Sequence, residues 1–232
     1  MGKVFFVSGI DTGVGKTIAT GMMARFLVRK GRRAATVKMV QTGCHDFSED
    51  LDEHRKIMEI GPLPEDRTGL TFPQTFDFPA SPHLAAELEG RAVDVDRIAE
   101  CVRKVAGNYE ITLVEGAGGL AVPLTKTLLT VDFAAAQGWP VILVCSGKLG
   151  SLNHALLSLE AIKGRGMALA GIVYNYCKDA DETIDLDSEK TLQEFVARYG
   201  FDAPIVRLGR VDSSCPDRTP MSDFSGIFNI MN

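Results

Sequence analysis

Residues 3–17 read KVFFVSGIDTGVGKT, an apolar run that leads into a glycine-rich turn and ends in Gly-Lys-Thr. The apolar run at 3–8 predicts a β-strand, and residues 17–30 predict a helix that stops before Gly31. A loop between a strand and a helix can surround phosphate oxygens with backbone N–H groups and the positive end of the helix. The stretch therefore predicts a phosphate-binding loop.

The residue types in this loop assign specific roles. Lys16 is placed to reach the terminal phosphates of a nucleotide, and the hydroxyl of Thr17 to bind Mg²⁺. The strict motif has four residues between its glycines, whereas five separate Gly9 from Gly15. The loop is a variant of the motif, and its alternative interpretation is a structural turn that carries a surface lysine.

The rest of the chain alternates between strand-like and helix-like segments. Further strands are predicted at 34–40, 111–114, 141–145, 168–174 and 204–208. Further helices are predicted at 51–60, 83–89, 94–106, 131–137, 152–163 and 189–199. Residues 62–82 hold five of the ten prolines and predict an irregular excursion. Because the strands are continuous apolar runs, we predict one α/β domain over 1–232, a three-layer P-loop NTPase-like fold with a mostly parallel sheet between helices.

Composition excludes several classes of protein. The 232 residues are 45% hydrophobic and 24% charged, which argues against a disordered chain. A net charge of −5 argues against nonspecific nucleic-acid binding, and no apolar run reaches the length of a membrane span. The start, MGKVFFVSGID, lacks the features of a signal peptide, and the five cysteines form no C-x-x-C pair. We expect a cytoplasmic protein with reduced thiols and no nucleic-acid or membrane partner.

Two charged residues stand at predicted strands. Glu115 directly follows the run at 111–114, and a carboxylate there points into the crevice where open α/β sheets bind ligands. Lys38 lies inside the second apolar run, and it emerges opposite Lys16 if that strand adjoins the first. Two lysines at one phosphate would stabilise a transferring phosphoryl group. The alternatives are a solvated carboxylate at the start of a turn and a lysine whose head reaches water.

With these residues in hand, the chain resembles the dethiobiotin synthetases, ATP-dependent enzymes that close the ureido ring late in biotin synthesis. The matching motifs occur in the order of that family, from residue 9 to residue 175. They are GIDTGVGKT (9–17), KMVQTG (38–43), SPH (81–83), VEGAGG (114–119), VILV (141–144), KLGSLNH (148–154) and Asn175.

The resemblance implies a set of site residues. Lys16 and Lys38 are the implied catalytic residues. Those implied to bind ATP are Gly13, Val14, Gly15, Lys16, Thr17, Ile18, Glu115, Gly118 and, at the adenine, Asn175. Those implied to contact the substrate are Thr12, Lys38, Thr42, Gly118, Gly150, Ser151 and Asn153. The implied Mg²⁺ ligands are Thr17, Asp50 and Glu115.

The resemblance also implies the chemistry and the assembly. MgATP, CO₂ and 7,8-diaminononanoate give dethiobiotin through a carbamate and a carbamic-phosphoric mixed anhydride, with release of ADP and phosphate. Residues 148–153 would hold the substrate carboxylate for the phosphate loop of a second subunit. The implied enzyme is therefore a homodimer with active sites at the subunit interface.

Some positions stay open. The metal aspartate is Asp50, expected to cap the helix that follows, or alternatively Asp52. Gly13 stands where many relatives have an acid, and the tail after residue 207 does not match, so a second adenine-contacting segment is unassigned. The four histidines have no zinc-site spacing. We expect His54, on a short polar helix, to be exposed.

Two other functions share this architecture. One is a regulatory P-loop ATPase of the partitioning type, which usually carries an extra lysine early in the phosphate loop. This chain has Ile10-Asp11 at that point, and its end, SGIFNIMN, is not a basic amphipathic helix. The other is an ATP-dependent amidating enzyme of corrinoid synthesis.

Overall fold

The computed structural model describes residues 1–175, 181–209 and 221–229. Its strands are β1 (Lys3–Gly9), β2 (Ala34–Lys38), β3 (Gln41–Thr42), β4 (Thr75–Phe76), β5 (Ile111–Gly119), β6 (Val141–Ser146), β7 (Leu169–Asn175) and β8 (Ile205–Leu208). Its helices are α1 (Lys16–Arg29), α2 (Glu49–Met58), α3 (Pro64–Arg67), α4 (Pro82–Leu88), α5 (Val95–Asn108), α6 (Thr130–Ala136), α7 (Ser151–Gly164), α8 (Glu182–Arg198) and α9 (Ser225–Phe228).

Six of these strands form one sheet in the order β2-β5-β1-β6-β7-β8, and every pair in it is parallel. The side chains of the central strands, such as Phe6, Leu113 and Leu143, are fully buried. Burial on both faces explains why the strands are continuous apolar runs, since helices flank the sheet. The predicted α/β class is confirmed.

β2 does not lie beside β1, the arrangement under which we expected Lys38 to emerge opposite Lys16. This strand pairs with β5 and not with β1, because β5 lies between the two. The register still places Lys38 opposite Glu115, and Glu115 in turn opposite Val7 of β1. The condition for that expectation is therefore not met, but Lys38 still reaches the site beside Glu115. An apolar run predicts a strand but does not determine which strand lies beside it.

Some boundaries also differ. β5 continues to Gly119, because its glycine-rich end still pairs with Gly9 of β1. α8 begins at Glu182 rather than near residue 189, because the side chain of Asp181 accepts hydrogen bonds from the N–H groups of Thr183 and Ile184. Local charge and glycine content suggested a shorter β5 and a shorter α8. Strand pairing extends β5, and the Asp181 cap extends α8.

The stretch at 62–82 is more ordered than predicted. It contains α3 and β4, and β4 pairs with β3 as a separate two-stranded sheet. In this small sheet Gln41 lies opposite Thr75 and Thr42 opposite Phe76. Two-residue strands leave no periodic signal in a sequence. The small sheet matters for the site because its strand β3 lies in the connection between β2 and α2.

Within the described ranges, no helix is both long and apolar enough to cross a membrane. Cys44, Cys101 and Cys145 are free and buried, and burial raises the pKa of the Cys145 thiol. Cys177 and Cys215 lie outside the described residues. The buried, unreactive role expected for Cys145 agrees with this placement.

Candidate active site

The carboxyl ends of β1, β2 and β5 meet at one edge of the sheet and bring the phosphate loop, Lys38 and Glu115 together. The start of α2 contributes Asp50 to the same place. Ligands of open parallel sheets bind outside this edge, where the strand order and the loops leave a crevice. The fold therefore assembles residues that are far apart in the chain into one candidate site.

The phosphate loop depends on Gly15, which precedes α1 in the left-handed region with φ of 88°. A Cβ at this position would lie 2.0 Å from Nδ2 of Asn175, so both the backbone angle and the space require glycine. In the described part of the chain, no side chain caps the start of α1. Its first N–H groups are therefore available to an anion.

Lys16 lies folded over the loop. Its Nζ atom donates a hydrogen bond to the carbonyl oxygen of Asp11 at 3.0 Å, and its side chain is buried. Burial lowers the pKa of Lys16, although the nearby carboxylates of Glu115 and Asp50 oppose the shift. A cation held here with little water around it is placed to meet negative charge on a phosphate.

Two carboxylates converge on the hydroxyl of Thr17. Its Oγ1 atom donates to Oδ1 of Asp50 at 2.7 Å and lies 3.2 Å from Oε1 of Glu115. Asp52 points into solvent, so the structure brings Asp50 and not Asp52 to this cluster. Asp50 is not the helix cap that we expected: Ser48 caps α2 by accepting from the N–H of Leu51. Asp50 therefore lies in the first turn, free to face Thr17.

Lys38 joins both carboxylates. Its Nζ atom lies 2.6 Å from Oδ2 of Asp50 and 2.8 Å from Oε1 of Glu115. Burial alone would lower the pKa of Lys38, but Glu115 and Asp50 outweigh burial and raise it. Burial likewise disfavours the charged form of Glu115, but Lys38 and a hydrogen bond from His54 hold the pKa of that carboxyl well below its usual range. Lys38 and Glu115 therefore form a buried ion pair, which Asp50 joins from the start of α2.

His54 is the residue that the sequence interpretation misplaced. It is fully buried, not exposed, and its Nε2 atom lies 2.9 Å from Oε2 of Glu115. The charged sequence of α2, EDLDEHRKIM, suggested a solvated helix. A helical-spacing signal was nevertheless present, since residue 54 lies three positions after buried Leu51 and four before buried Met58.

The residues implied to contact the substrate divide into two groups. Thr12 and Gly118 are neighbours: a Cβ on Gly118 would lie 3.8 Å from Cγ2 of Thr12. Thr12 lines a cavity of about 380 Å³, with Leu120, Val122 and Leu157 among the other lining residues. A Cβ added at Gly13 would meet no atom within 4 Å.

The second group lies at the start of α7. Gly150 precedes the helix with φ of 90°, and Ser151 shares a hydrogen bond of 3.1 Å with Ser146. Asn153 is exposed, and Leu149, in the loop before the helix, is 79% exposed. Nδ1 of His154 lies 3.7 Å from Oδ2 of Asp11, which places this helix next to the phosphate loop.

Asn175, Thr42 and Ile18 complete the predicted set. Asn175 ends β7 and donates from Nδ2 to the carbonyl oxygen of Val14 at 2.9 Å, so it does lie against the phosphate loop. Ile18 is in the first turn of α1, and Thr42 lies half-buried in β3. The hydrogen bond to Val14 uses one of the two N–H groups that an asparagine amide offers.

Comparison with known protein sequences identifies the family of this chain. A family model described as an AAA domain matches residues 3–213. A relative named ATP-dependent dethiobiotin synthetase BioD 2, from Pasteurella multocida, is 44% identical over 86% of this chain and 93% of its own. One from Chlorobaculum tepidum, named ATP-dependent dethiobiotin synthetase BioD, is 46% identical over 89% of this chain and 87% of its own. The chain belongs to the dethiobiotin synthetase family.

Structural comparison supports the fold of this dethiobiotin synthetase family member. The solved structure of a ParA family ATPase from Chlorobium tepidum covers 99% of this chain and 90% of its own, with a TM-score of 0.53. The two are 13% identical, so this likeness shows the P-loop fold alone. The sequence relatives, and not this structural likeness, confirm the resemblance to the dethiobiotin synthetases that the motifs indicated.

Proposed function

We propose that this chain is an ATP-dependent cyclo-ligase that forms dethiobiotin from 7,8-diaminononanoate and CO₂. Membership of the dethiobiotin synthetase family supports the reaction. The observation that carries the assignment to this chain's own residues is the convergence of Thr17, Asp50, Lys38 and Glu115 beside the phosphate loop. These groups are the ones that a phosphoryl transfer to an anionic acceptor needs.

The phosphate loop would hold the triphosphate of ATP. Residues 13–18 supply backbone N–H groups at the start of α1, and Lys16 supplies a charge that can move from the Asp11 carbonyl to the β- and γ-phosphates. Asn175 stands at the other side of the loop, and its amide retains an N–H for the adenine. Gly118 would let backbone and nucleotide approach closely.

The cluster around Thr17 fits a magnesium ion. A hydroxyl and the carboxylates of Asp50 and Glu115 are hard oxygen donors, and Mg²⁺ is usually held by one or two carboxylates together with substrate phosphates. When bound, the ion would neutralise charge on the phosphates.

Lys38 would act on the reacting group. CO₂ adds to one amine of the substrate to make a carbamate, whose oxygen attacks the γ-phosphorus of ATP and releases ADP. The second amine then attacks the carbamoyl carbon and expels phosphate, which closes the ring. Lys38 lies beside the phosphate loop with its charge secured by Asp50 and Glu115, so it is placed to orient the carbamate and oppose its charge. Thr12 and Thr42 would position the diamine.

The assembly that we propose is a homodimer with composite sites. Leu157 of α7 and Leu149 of the loop before it expose apolar side chains, and Leu157 lines the same cavity as Asp11 and Thr12 of the phosphate loop. This surface would pack on a second copy of the chain. The start of α7, with Gly150, Ser151 and Asn153, would bind the substrate carboxylate for the partner's loop. A two-fold axis would then generate two equivalent sites.

The location that we propose is the cytoplasm. Cys44, Cys101 and Cys145 are free thiols, which is the state that a reducing compartment maintains.

Product formation tests the function. Wild-type enzyme with MgATP, bicarbonate and the diamine should yield dethiobiotin, detected by mass, and one ADP per product. Lys16→Ala is the control, because no other loop side chain spans the phosphates, and its turnover should fall by about 10²–10³-fold. ATP hydrolysis that is independent of the diamine, with no dethiobiotin, would contradict the proposal.

A further inference from the structure

His54 is fully buried between α2 and the sheet, and both of its ring nitrogens have partners. Nε2 lies 2.9 Å from Oε2 of Glu115, and Nδ1 lies 3.0 Å from Oγ1 of Thr36. Thr36 belongs to β2 and Glu115 to β5. One imidazole therefore ties a helix to two neighbouring strands directly behind the carboxylate cluster.

The directions of these hydrogen bonds follow from the chemistry of the groups. A carboxylate can only accept, so Nε2 of His54 donates to Glu115. Nη1 of Arg55 donates to Oγ1 of Thr36 at 2.8 Å, and the hydroxyl of Thr36 keeps a proton that it can donate to Nδ1 of His54. Arg55 is itself held by two hydrogen bonds to Asp66, at 2.8 and 2.7 Å. The imidazole is therefore fixed in position and not only enclosed.

The two oxygens of Glu115 have different partners as a result. His54 holds Oε2, whereas Oε1 faces Thr17 and Lys38 at 3.2 and 2.8 Å. The last torsion of a glutamate side chain has a broad energy minimum, so packing alone does not set the plane of its carboxylate. A donor on one oxygen sets that plane and so decides which oxygen faces the cluster.

We infer that His54 is a positioning residue that orients the carboxylate of Glu115 toward the nucleotide's metal ion. The inference rests on the proposed function, because it takes Glu115 to be a ligand of that ion. Residues that orient a metal ligand from behind typically change metal affinity by about 10–100-fold when they are replaced. In this role His54 would orient Glu115 without itself contacting substrate, nucleotide or metal.

Three substitutions separate orientation from simple packing. His54→Gln keeps an N–H donor near the position of Nε2, His54→Asn keeps one near Nδ1 only, and His54→Leu keeps neither. Lys56→Gln, at a position of α2 whose side chain is 67% exposed, controls for changes on this helix. Each folded variant would be titrated with Mn²⁺ in the presence of ATP, with bound ion measured by electron paramagnetic resonance, and its melting temperature recorded.

We expect the affinity for Mn²⁺ to differ between variants whose side chains are of similar size. His54→Asn and His54→Leu should bind Mn²⁺ about 10-fold more weakly or worse, whereas His54→Gln should stay within about threefold of wild type. Equal affinity in the Gln and Asn variants would overturn the inference, whatever their melting temperatures. If wild type itself binds no Mn²⁺ with ATP, the proposed metal site fails and this inference fails with it.

Thr36→Val provides a second test in case the His54→Asn and His54→Leu proteins fold poorly. Thr36→Val keeps the shape of the side chain and removes the hydroxyl that holds Nδ1. The freed imidazole should orient Glu115 less well, and Mn²⁺ affinity should fall by about threefold or more. Unchanged affinity in a folded Thr36→Val protein would also overturn the inference.

Discussion

Lys38 and Glu115 are register partners on neighbouring parallel strands, and Nζ of the lysine lies 2.8 Å from Oε1 of the glutamate. Both side chains are buried, and Asp50 makes a second ion pair with the same lysine. A buried ion pair adds little net stability, but removing one partner leaves an uncompensated charge. The pair therefore constrains both the fold and the electrostatics of the site.

Lys38→Met should impair turnover far more than nucleotide binding. Its charge faces the carboxylates and the proposed carbamate position, whereas Lys16, on the phosphate loop, is the residue proposed to meet the phosphates. We expect kcat to fall by about 10²-fold or more, with ATP affinity little changed in a titration without the diamine. A large loss of ATP affinity with normal turnover at saturation would indicate uniform binding instead.

Asp50→Asn should raise the Mg²⁺ requirement of the reaction, and Asp52→Asn is its matched control two residues away. The amide keeps the shape of Asp50 but removes an anionic oxygen that a hard cation prefers. Asp52 is exposed on the same helix, so its replacement should have little effect. Magnesium titration of turnover at fixed ATP gives the comparison, and a larger effect at Asp52 would reverse the assignment.

Mixed dimers test the proposed composite site. Lys16→Ala should disable the phosphate loop, and Asn153→Asp should set a like charge where the substrate carboxylate is proposed to bind, so we expect each homodimer to be nearly inactive. In a mixed dimer, one composite site carries both defects and the other carries neither. Activity should return toward half of wild type per dimer after subunit exchange. Confirmed exchange without recovered activity would mean that each site is built within one chain.

Asp66 should make stability depend on acid pH. Its burial raises the pKa, but hydrogen bonds and charge from Arg55, with a hydrogen bond from Thr71, outweigh burial and lower it. The folded state then binds the proton less readily than the unfolded chain, so this stability is present above the unfolded pKa of about 3.9. It is lost as the pH falls through the lower folded pKa.

Melting temperatures measured between about pH 6 and pH 3 test this direction of the pH dependence of stability. Asp66→Asn should be less stable than wild type at neutral pH, and the difference should shrink as the pH falls. Glu100→Gln is the control, since the ion pair of Glu100 with Lys104 is on the surface and contributes little. A stability difference that grows toward acid pH would contradict the role assigned to Asp66.

The sequence by itself determined the phosphate loop, the class of the fold and the candidate status of Lys38 and Glu115. Each of these rests on a local signal: a contiguous loop motif, continuous apolar runs, and a charged residue within or just after such a run. Family motifs extended this to Asn175 and to residues 148–154. Such signals survive in a linear chain because they reflect what a few neighbouring residues require.

Only the tertiary structure decided which of these residues meet. It placed β5 between β1 and β2, selected Asp50 over Asp52, and buried His54 against Glu115, 61 positions away in the chain. Strand order and the buried face of a charged helix follow from packing summed over the whole sheet, which no local pattern encodes. The charges of α2 suggested a solvated helix, but the buried carboxylate of Glu115 required a donor, and only the fold brings His54 to it.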